Sequence, residues 1–140
     1  MNFSNRDISK EELDNIYEDF KKIDDEYKVP NAKTKRINVT VEDNNEIIGF
    51  ASGLTNHKWF NLTDLWVHEN YRKQGLGAKI LNMLEDDAKN QGIEHIYTWT
   101  TGYNRNDIFY EKQGYKKFTV LENFFEVVNG DHIGYRKDLF

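Results

Sequence analysis

The chain of 140 residues carries 24 acidic and 19 basic side chains, a formal net charge of −5, and no cysteine. The missing cysteine excludes a disulfide framework and a thiolate metal site, and the acidic balance argues against a generic nucleic-acid-binding protein. No apolar stretch approaches the roughly 20 residues of a membrane-spanning helix, and the amino terminus lacks the pattern of a secretory signal. We therefore expect one cytoplasmic domain over residues 1–140, with no nucleic-acid or membrane partner.

The amino-terminal segment has the pattern of an amphipathic helix. Ser9 and Glu12 form an S-x-x-E capping box, which is a common start of a helix. Beyond them, apolar residues recur every three or four positions up to Tyr27, and Pro30 marks the first boundary. The spacing predicts a helix over about residues 10–28.

The rest of the chain alternates between strand-like and helix-like patterns, with about twice as many strands as helices. The predicted elements are, in order, a hairpin over 37–41 and 46–54, a strand Trp59–Val67, a helix that stops at Gln91-Gly92, a strand Glu94–Thr101, a short helix closed by Gly114, and strands Tyr115–Leu121 and Ile133–Leu139. This order predicts an α/β fold with a mixed sheet.

A basic, glycine-bearing loop lies between the third predicted strand and the helix that follows it. Its sequence is Arg72-Lys73-Gln74-Gly75-Leu76-Gly77-Ala78. The first N–H groups of a helix have no partners and the helix dipole is positive there, so the position suits an anion such as a phosphate. Two known phosphate patterns do not fit. A Walker A loop would end in Gly-Lys-Ser/Thr, and a dinucleotide fingerprint needs a third glycine where Ile80 stands.

The pattern that remains, R-x-x-G-x-G over Arg72, Gly75 and Gly77, resembles the acetyl-CoA loop of the GNAT superfamily of N-acetyltransferases. A second segment, Phe109-Tyr110-Glu111-Lys112-Gln113-Gly114-Tyr115, resembles the F-Y-x-x-x-G-F/Y segment of the same superfamily. The carboxyl-terminal run is similar to a small bacterial branch, so the likeness extends over about residues 36–140.

The resemblance implies a fold and a set of cofactor contacts. The fold is the GNAT-like acyl-CoA N-acyltransferase fold, in which two central parallel strands splay apart between flanking helices. The implied acetyl-CoA contacts are Leu65, Trp66, Val67, Arg72, Lys73, Gln74, Gly75, Leu76, Gly77, Ala78, Asn104 and Asn106. The two asparagines also fit an interpretation as helix caps, because Tyr103 stands where relatives carry their usual asparagine.

The resemblance also implies catalytic roles. Tyr110 occupies the position of the superfamily's usual general acid, and a phenol with an ordinary pKa of about 10 is protonated at neutral pH. A buried structural tyrosine is the alternative interpretation. The usual base is missing, because a count back from Val67 at a period of two reaches Thr63 and Asn61. Glu69 is the first candidate for the base, and a solvated surface glutamate is the plainer interpretation.

The implied activity is direct transfer of an acetyl group from acetyl-CoA to a primary amine. No metal is predicted, because the four histidines show no metal-ligand spacing. A small-molecule amine is the favoured substrate, since the chain is short and has no appended recognition element. Two hypotheses stay open: an acetyltransferase for a protein amino terminus or lysine, and a non-catalytic acyl-CoA-binding regulatory module. A homodimer through Phe124 and Phe125 is a further expectation.

Overall fold

The computed structural model describes all residues from Met1 to Phe140, which divide into two compact units, Met1–Ala32 and Lys33–Phe140. The first unit contains one helix, α1 (Lys10–Glu26). This confirms the predicted helix, with an end two residues earlier than expected, since Lys28 adopts a left-handed φ of 56°. The single domain over residues 1–140 stays a prediction.

The predicted capping box is present at the start of α1. Ser9 Oγ accepts a hydrogen bond from the Glu12 N–H at 3.1 Å, and the Glu12 carboxylate accepts one from the Ser9 N–H at 2.9 Å. The Arg6 guanidinium donates to the same carboxylate at 2.8 Å. The hydrogen bonds from Arg6 and then Ser9 lower the pKa of Glu12 to about 2.

The second unit is a six-stranded mixed sheet with two α-helices, so the predicted α/β fold is confirmed. Its elements are β1 (Arg36–Asp43), β2 (Glu46–Asn56), β3 (Trp59–Val67), a 3₁₀ helix (Glu69–Tyr71), α2 (Leu76–Asn90), β4 (His95–Thr101), α3 (Asn106–Lys112), β5 (Lys116–Leu121) and β6 (His132–Asp138). Every predicted strand and helix is present. The 3₁₀ helix was not expected, because one short turn has no periodic signal.

The strand order is β1-β2-β3-β4-β6-β5, and only the β3–β4 pair is parallel. Helix α2 contacts β1, β2 and β3, whereas α3 contacts β4 and β5. Both helices contribute side chains to the same apolar cluster, in which Phe60, Leu81, Ile96 and Tyr135 are fully buried. The core of this unit therefore lies between the sheet and these two helices. None of the helices has the length and apolar character needed to cross a membrane.

Strands β3 and β4 run side by side for only part of their length. Their pairing extends from Trp59–His95 to Leu62–Thr98 and stops there, although both strands continue. Just beyond that point β3 carries a bulge, at which Thr63 has no partner on β2. A bulge bends its strand away from regular pairing. The two central strands therefore diverge as expected, and we call the point of divergence, after the Leu62–Thr98 pair, the fork.

The bulge changes which side chains of β3 lie on the same face of the sheet. Phe60 and Leu62 are the buried residues of β3 before Thr63, whereas Leu65 and Val67 are the half-buried ones after it. The extra residue shifts the alternation, so a count at a period of two from Val67 changes face when it passes the bulge. The placement of Thr63 and Asn61 on the face of Val67 is therefore wrong.

A buried ion pair joins α2 to β6. Glu85 is 5% exposed, and its carboxylate lies 2.7 Å from the Lys137 ammonium. Burial raises the pKa of Glu85, and Lys137 opposes that change. Removing one partner of a buried ion pair leaves an uncompensated charge, so we expect Lys137→Met to lower the free energy of unfolding by about 3 kcal/mol in urea denaturation.

Lys117→Met is the matched control, because Lys117 is exposed on β5, and we expect it to change stability by less than about 0.5 kcal/mol. The pH dependence gives a second check. A carboxyl whose folded pKa is raised contributes stability that is present below its unfolded pKa and lost as pH rises through the folded pKa. Lys137→Met should therefore lose less stability near pH 5 than near pH 7. Equal losses in the two variants would contradict this account.

Candidate active site

A cavity of about 590 Å³ opens at the fork. Its walls come from the free end of β3, the loop after it and the start of α3. The lining residues are Leu65, Trp66, Val67, Arg72, Asn104, Asn106, Phe109 and Tyr110. All of them except Phe109 were expected site residues, so the fold brings three separate sequence segments to one place.

The end of β3 presents free backbone groups to this cavity. The His68 N–H donates to the Ile48 carbonyl on β2 at 2.8 Å, so by alternation the backbone of Trp66 also faces β2. Leu65 and Val67 then point their N–H and C=O groups to the opposite side, where β4 has departed and where only the Val67 carbonyl has a partner, the Arg72 Nε. An extended molecule can add to such a free edge as a further strand would. The backbone of Trp66 is therefore not part of this free edge.

The side chain of Arg72 connects the loop to the end of β3 by a hydrogen bond. Its Nε donates to the Val67 carbonyl at 2.8 Å, and the guanidinium forms part of the cavity wall. Its two Nη atoms donate no hydrogen bond within the protein, so the positive charge is available to an anion in the cavity. Lys73 and Gln74 follow in the exposed loop and do not line the cavity.

Helix α2 begins without a side-chain cap. Gly75 precedes it with a left-handed φ of 78°, and a Cβ built there would meet no protein atom within 4 Å. The first backbone bond of the helix runs from Lys79 to the Gly75 carbonyl, so the N–H groups of Leu76, Gly77 and Ala78 have no partner in the protein. Free N–H groups at the positive end of a helix, behind an open glycine, fit a phosphate.

Tyr110 lies on α3 with its ring in the core and one edge on the cavity. The residue is 7% exposed, and its ring stacks on Tyr135 at 6.1 Å and meets Tyr115 edge-on at 5.5 Å. Burial raises the pKa of Tyr110, and a hydrogen bond with Thr98 partly offsets that rise. The phenol is therefore protonated at neutral pH and can donate a proton.

Of the remaining predicted site residues, some line the cavity and others do not. Glu69 lies exposed on the 3₁₀ helix and is not part of the cavity wall. Asn104 Oδ1 accepts a hydrogen bond from the Asn106 N–H at 3.1 Å, which shapes the turn before α3 while both residues line the cavity. Two residues were not expected: Phe109, which lines the cavity, and Thr98, which lies at the fork but does not line the cavity. Phe109 is the first residue of the F-Y segment, whereas no sequence signal marks Thr98, because threonine is common in strands.

The sequence profile of the acetyltransferase (GNAT) family matches residues 5–115. The chain belongs to this family. The resemblance carried by the glycine loop and the F-Y segment is thereby confirmed, together with the class of enzyme.

Individual GNAT proteins show how far the likeness extends. The chain is 25% identical over 100 residues to [ribosomal protein bS18]-alanine N-acetyltransferase of Haemophilus influenzae, with 71% of this chain and 68% of that protein covered. It spans between 10 and 68% of the length of three curated relatives. A crystal structure of an acetyltransferase from Bacillus cereus superposes with a TM-score of 0.79, 20% identity and 97% of both chains covered.

A further solved structure bears on the ligand. It is an aminoglycoside 6'-N-acetyltransferase complexed with coenzyme A, with a TM-score of 0.66, 24% identity, and 83% of this chain and 77% of that chain covered. Both structural matches show the GNAT fold of this chain.

Proposed function

We propose that this GNAT protein is an acetyl-CoA-dependent N-acetyltransferase that acts on the primary amine of a small molecule by direct transfer. The observation that carries the proposal is the cavity at the fork, which combines a free strand edge, unpaired N–H donors at a helix start and a buried phenol. Each of these suits a different part of acetyl-CoA, namely the pantetheine, the pyrophosphate and the sulfur.

The binding contacts follow from the backbone. Leu65 and Val67 would hydrogen-bond the amides of pantetheine along the free edge of β3. The unpaired N–H groups of α2 and the guanidinium of Arg72 would bind the pyrophosphate, with added charge from Lys73. The fold shared with an aminoglycoside 6'-N-acetyltransferase complexed with coenzyme A supports this assignment.

Direct transfer is consistent with the groups at the site. The neutral amine attacks the thioester carbonyl, the C–S bond breaks, and Tyr110 donates its proton to the departing sulfur. The amine nitrogen gives up a proton as the amide bond forms, and Glu69 is the proposed acceptor of that proton. The chain has no cysteine that could form a covalent acetyl-enzyme.

The role of Glu69 is directly testable. Glu69→Gln keeps the size of the side chain and removes the proton acceptor, so we expect kcat at neutral pH to fall by about a hundredfold with the KM for acetyl-CoA unchanged. Release of the CoA thiol measures both constants. Glu46→Gln, on an exposed glutamate at the start of β2, is the control. Full kcat in Glu69→Gln would mean that a group other than Glu69 accepts the proton.

A second candidate function is N-acetylation of a protein. It is favoured by the likeness to an enzyme whose substrate is the alanine of ribosomal protein bS18. CoA release with a panel of small amines, polyamines, aminoglycosides and peptides separates the candidates. Turnover with a small amine supports our proposal, and turnover with peptides alone supports the second candidate. Binding of acetyl-CoA without turnover on any amine would favour a non-catalytic module.

The cytoplasmic location and the dimer through Phe124 and Phe125 stay predictions.

A further inference from the structure

We infer that the acceptor amine carries an aromatic ring and a carboxylate, and that a second pocket, lined by aromatic rings and Arg136, binds it. The inference rests on the proposed function, since it names the class of amine that would be acetylated at the fork. The pocket has a volume of about 360 Å³ and shares no lining residue with the cavity at the fork. Its lining residues are Trp59, Tyr97, Trp99, Phe118 and Arg136.

The aromatic pocket lies on the face of the sheet turned away from α2 and α3. On β4, Ile96 belongs to the core that these helices share, so alternation directs Tyr97 and Trp99 to the opposite face. On β6, Tyr135 belongs to the same core, so Arg136 also lies on the opposite face. We call this side of the sheet the far face.

The aromatic pocket extends to the fork. Trp99 is the first residue of β4 after the last β3–β4 pair, Leu62–Thr98. The cavity described above approaches the fork from the side of α3, whose Phe109 and Tyr110 line it. A thioester that reaches the fork from that side leaves the far face open to the acceptor. An amine in the aromatic pocket can therefore approach the thioester through the gap between the two strands.

The walls of the aromatic pocket suit a flat ring. Trp99 meets Phe118 edge-on at 5.9 Å between ring centres, and Trp59 meets Tyr97 edge-on at 6.0 Å. Trp99 is 37% exposed and Phe118 46%, so both rings are accessible to a ligand. Aromatic rings bury a large apolar area and pack well against other rings. The pocket therefore favours an acceptor with an aromatic body.

Arg136 gives the aromatic pocket a positive charge. Its guanidinium carbon lies 4.7 Å from the centre of the Trp59 ring, and its Nη2 donates to Asp138 at 3.1 Å. Its Nε and Nη1 donate no hydrogen bond within the protein, and Lys116 lies opposite Arg136 on β5. Two positive charges therefore stand against one carboxylate. A guanidinium with free N–H groups matches the geometry of a ligand carboxylate.

The position of the guanidinium limits the shape of the acceptor. Trp59, over which Arg136 lies, is three residues before Leu62 in β3, which is about 10 Å along the strand. The carboxylate and the amine should therefore lie at opposite ends of the ring. An α-amino acid, which carries both groups on one carbon, is too short. 4-(Aminomethyl)benzoate has the required arrangement.

The kinetic test compares two amines that differ only at the end of the ring away from the amine. 4-(Aminomethyl)benzoate has a carboxylate there, and 4-methylbenzylamine has a methyl group. In thiol-release assays we expect the KM for the first to be lower by about tenfold or more, because only the carboxylate forms charge-assisted hydrogen bonds with Arg136. Arg136→Met should remove this difference. Lys117→Met, which removes a positive charge on the other face of β5, should keep it.

NMR signals of the indole N–H groups provide a readout that does not depend on turnover. Of the three tryptophans, Trp59 and Trp99 line the aromatic pocket, whereas Trp66 lines the cavity at the fork. 4-Methylbenzoate has the ring and the carboxylate but no amine. It should shift the signals of Trp59 and Trp99 and leave that of Trp66 in place. Arg136→Lys keeps the charge and should bind 4-methylbenzoate more tightly than Arg136→Met does.

Several results would overturn the inference. One is an equal KM for the two amines in the unmodified protein, and another is an equal rise in KM in Arg136→Met and Lys117→Met. Signals of Trp59 and Trp99 that shift on dilution but not with 4-methylbenzoate would show that a second copy of the chain covers the pocket. If the unmodified protein acetylates no amine, the proposed function fails, and the titration with 4-methylbenzoate still decides whether the pocket binds an aromatic carboxylate.

Discussion

Tyr110→Phe is expected to lower kcat about a hundredfold while acetyl-CoA binds with nearly unchanged affinity. The change removes one oxygen, which is the proton donor in our proposal, and leaves the ring in contact with Tyr135 and Tyr115. Thiol release measures kcat and calorimetry measures the Kd for acetyl-CoA. Because burial raises the pKa of Tyr110 above its ordinary value of 10, kcat should show no alkaline loss from this group between pH 7 and about pH 9.

Tyr115→Phe is the matched control for Tyr110. Tyr115 is also a buried tyrosine, 3% exposed, but it does not line the cavity. Removal of the Tyr115 hydroxyl should leave kcat within about twofold of that of the unmodified protein. Full activity in Tyr110→Phe would remove the residue from the mechanism, and equal losses in both variants would point to a packing effect on the tyrosine cluster.

Gly75→Val is expected to weaken acetyl-CoA binding by more than about a hundredfold, since it would remove at least two charge-assisted hydrogen bonds at the start of α2. A branched side chain at this position points into the open space where we place the pyrophosphate, and no protein atom lies within 4 Å to deflect it. Calorimetry with acetyl-CoA measures the loss.

The backbone strain of that substitution needs its own control. Gly75 has a φ of 78°, which is unfavourable for valine whatever the ligand does. Gly92 has a φ of 85°, equally open surroundings, and a position just past the other end of α2. Gly92→Val should carry a similar strain and bind acetyl-CoA normally. Unchanged binding in Gly75→Val would mean that the loop serves only as a helix cap.

Much of the fold could be predicted from the sequence, because apolar periodicity is a local property. The helix after Ser9 and the strand Trp59–Val67 are examples, because both lie where the sequence predicts them. The loop Arg72–Ala78 and Tyr110 were predicted as site residues from motifs, in which several residues at fixed spacing constrain each other.

The parts that could not be predicted depend on single residues or on distant contacts. The bulge at Thr63 adds one residue without changing the composition of β3, so alternation alone does not reveal it. The hydrogen bond from Thr98 to Leu62 joins residues that are far apart in the chain and depends on the register of a parallel pair. A single sequence contains no information on that register.

The bulge at Thr63 also has a practical consequence for protein engineering. Along β3, the core-facing positions have even numbers before Thr63 and odd numbers after it. A mutant library that randomises every second residue from Phe60 onward would vary the core at first and then, beyond Thr63, the opposite surface. Libraries meant to reshape this enzyme should therefore switch from even-numbered to odd-numbered positions at Thr63. Deleting Thr63 should give β3 one regular alternation of faces along its whole length.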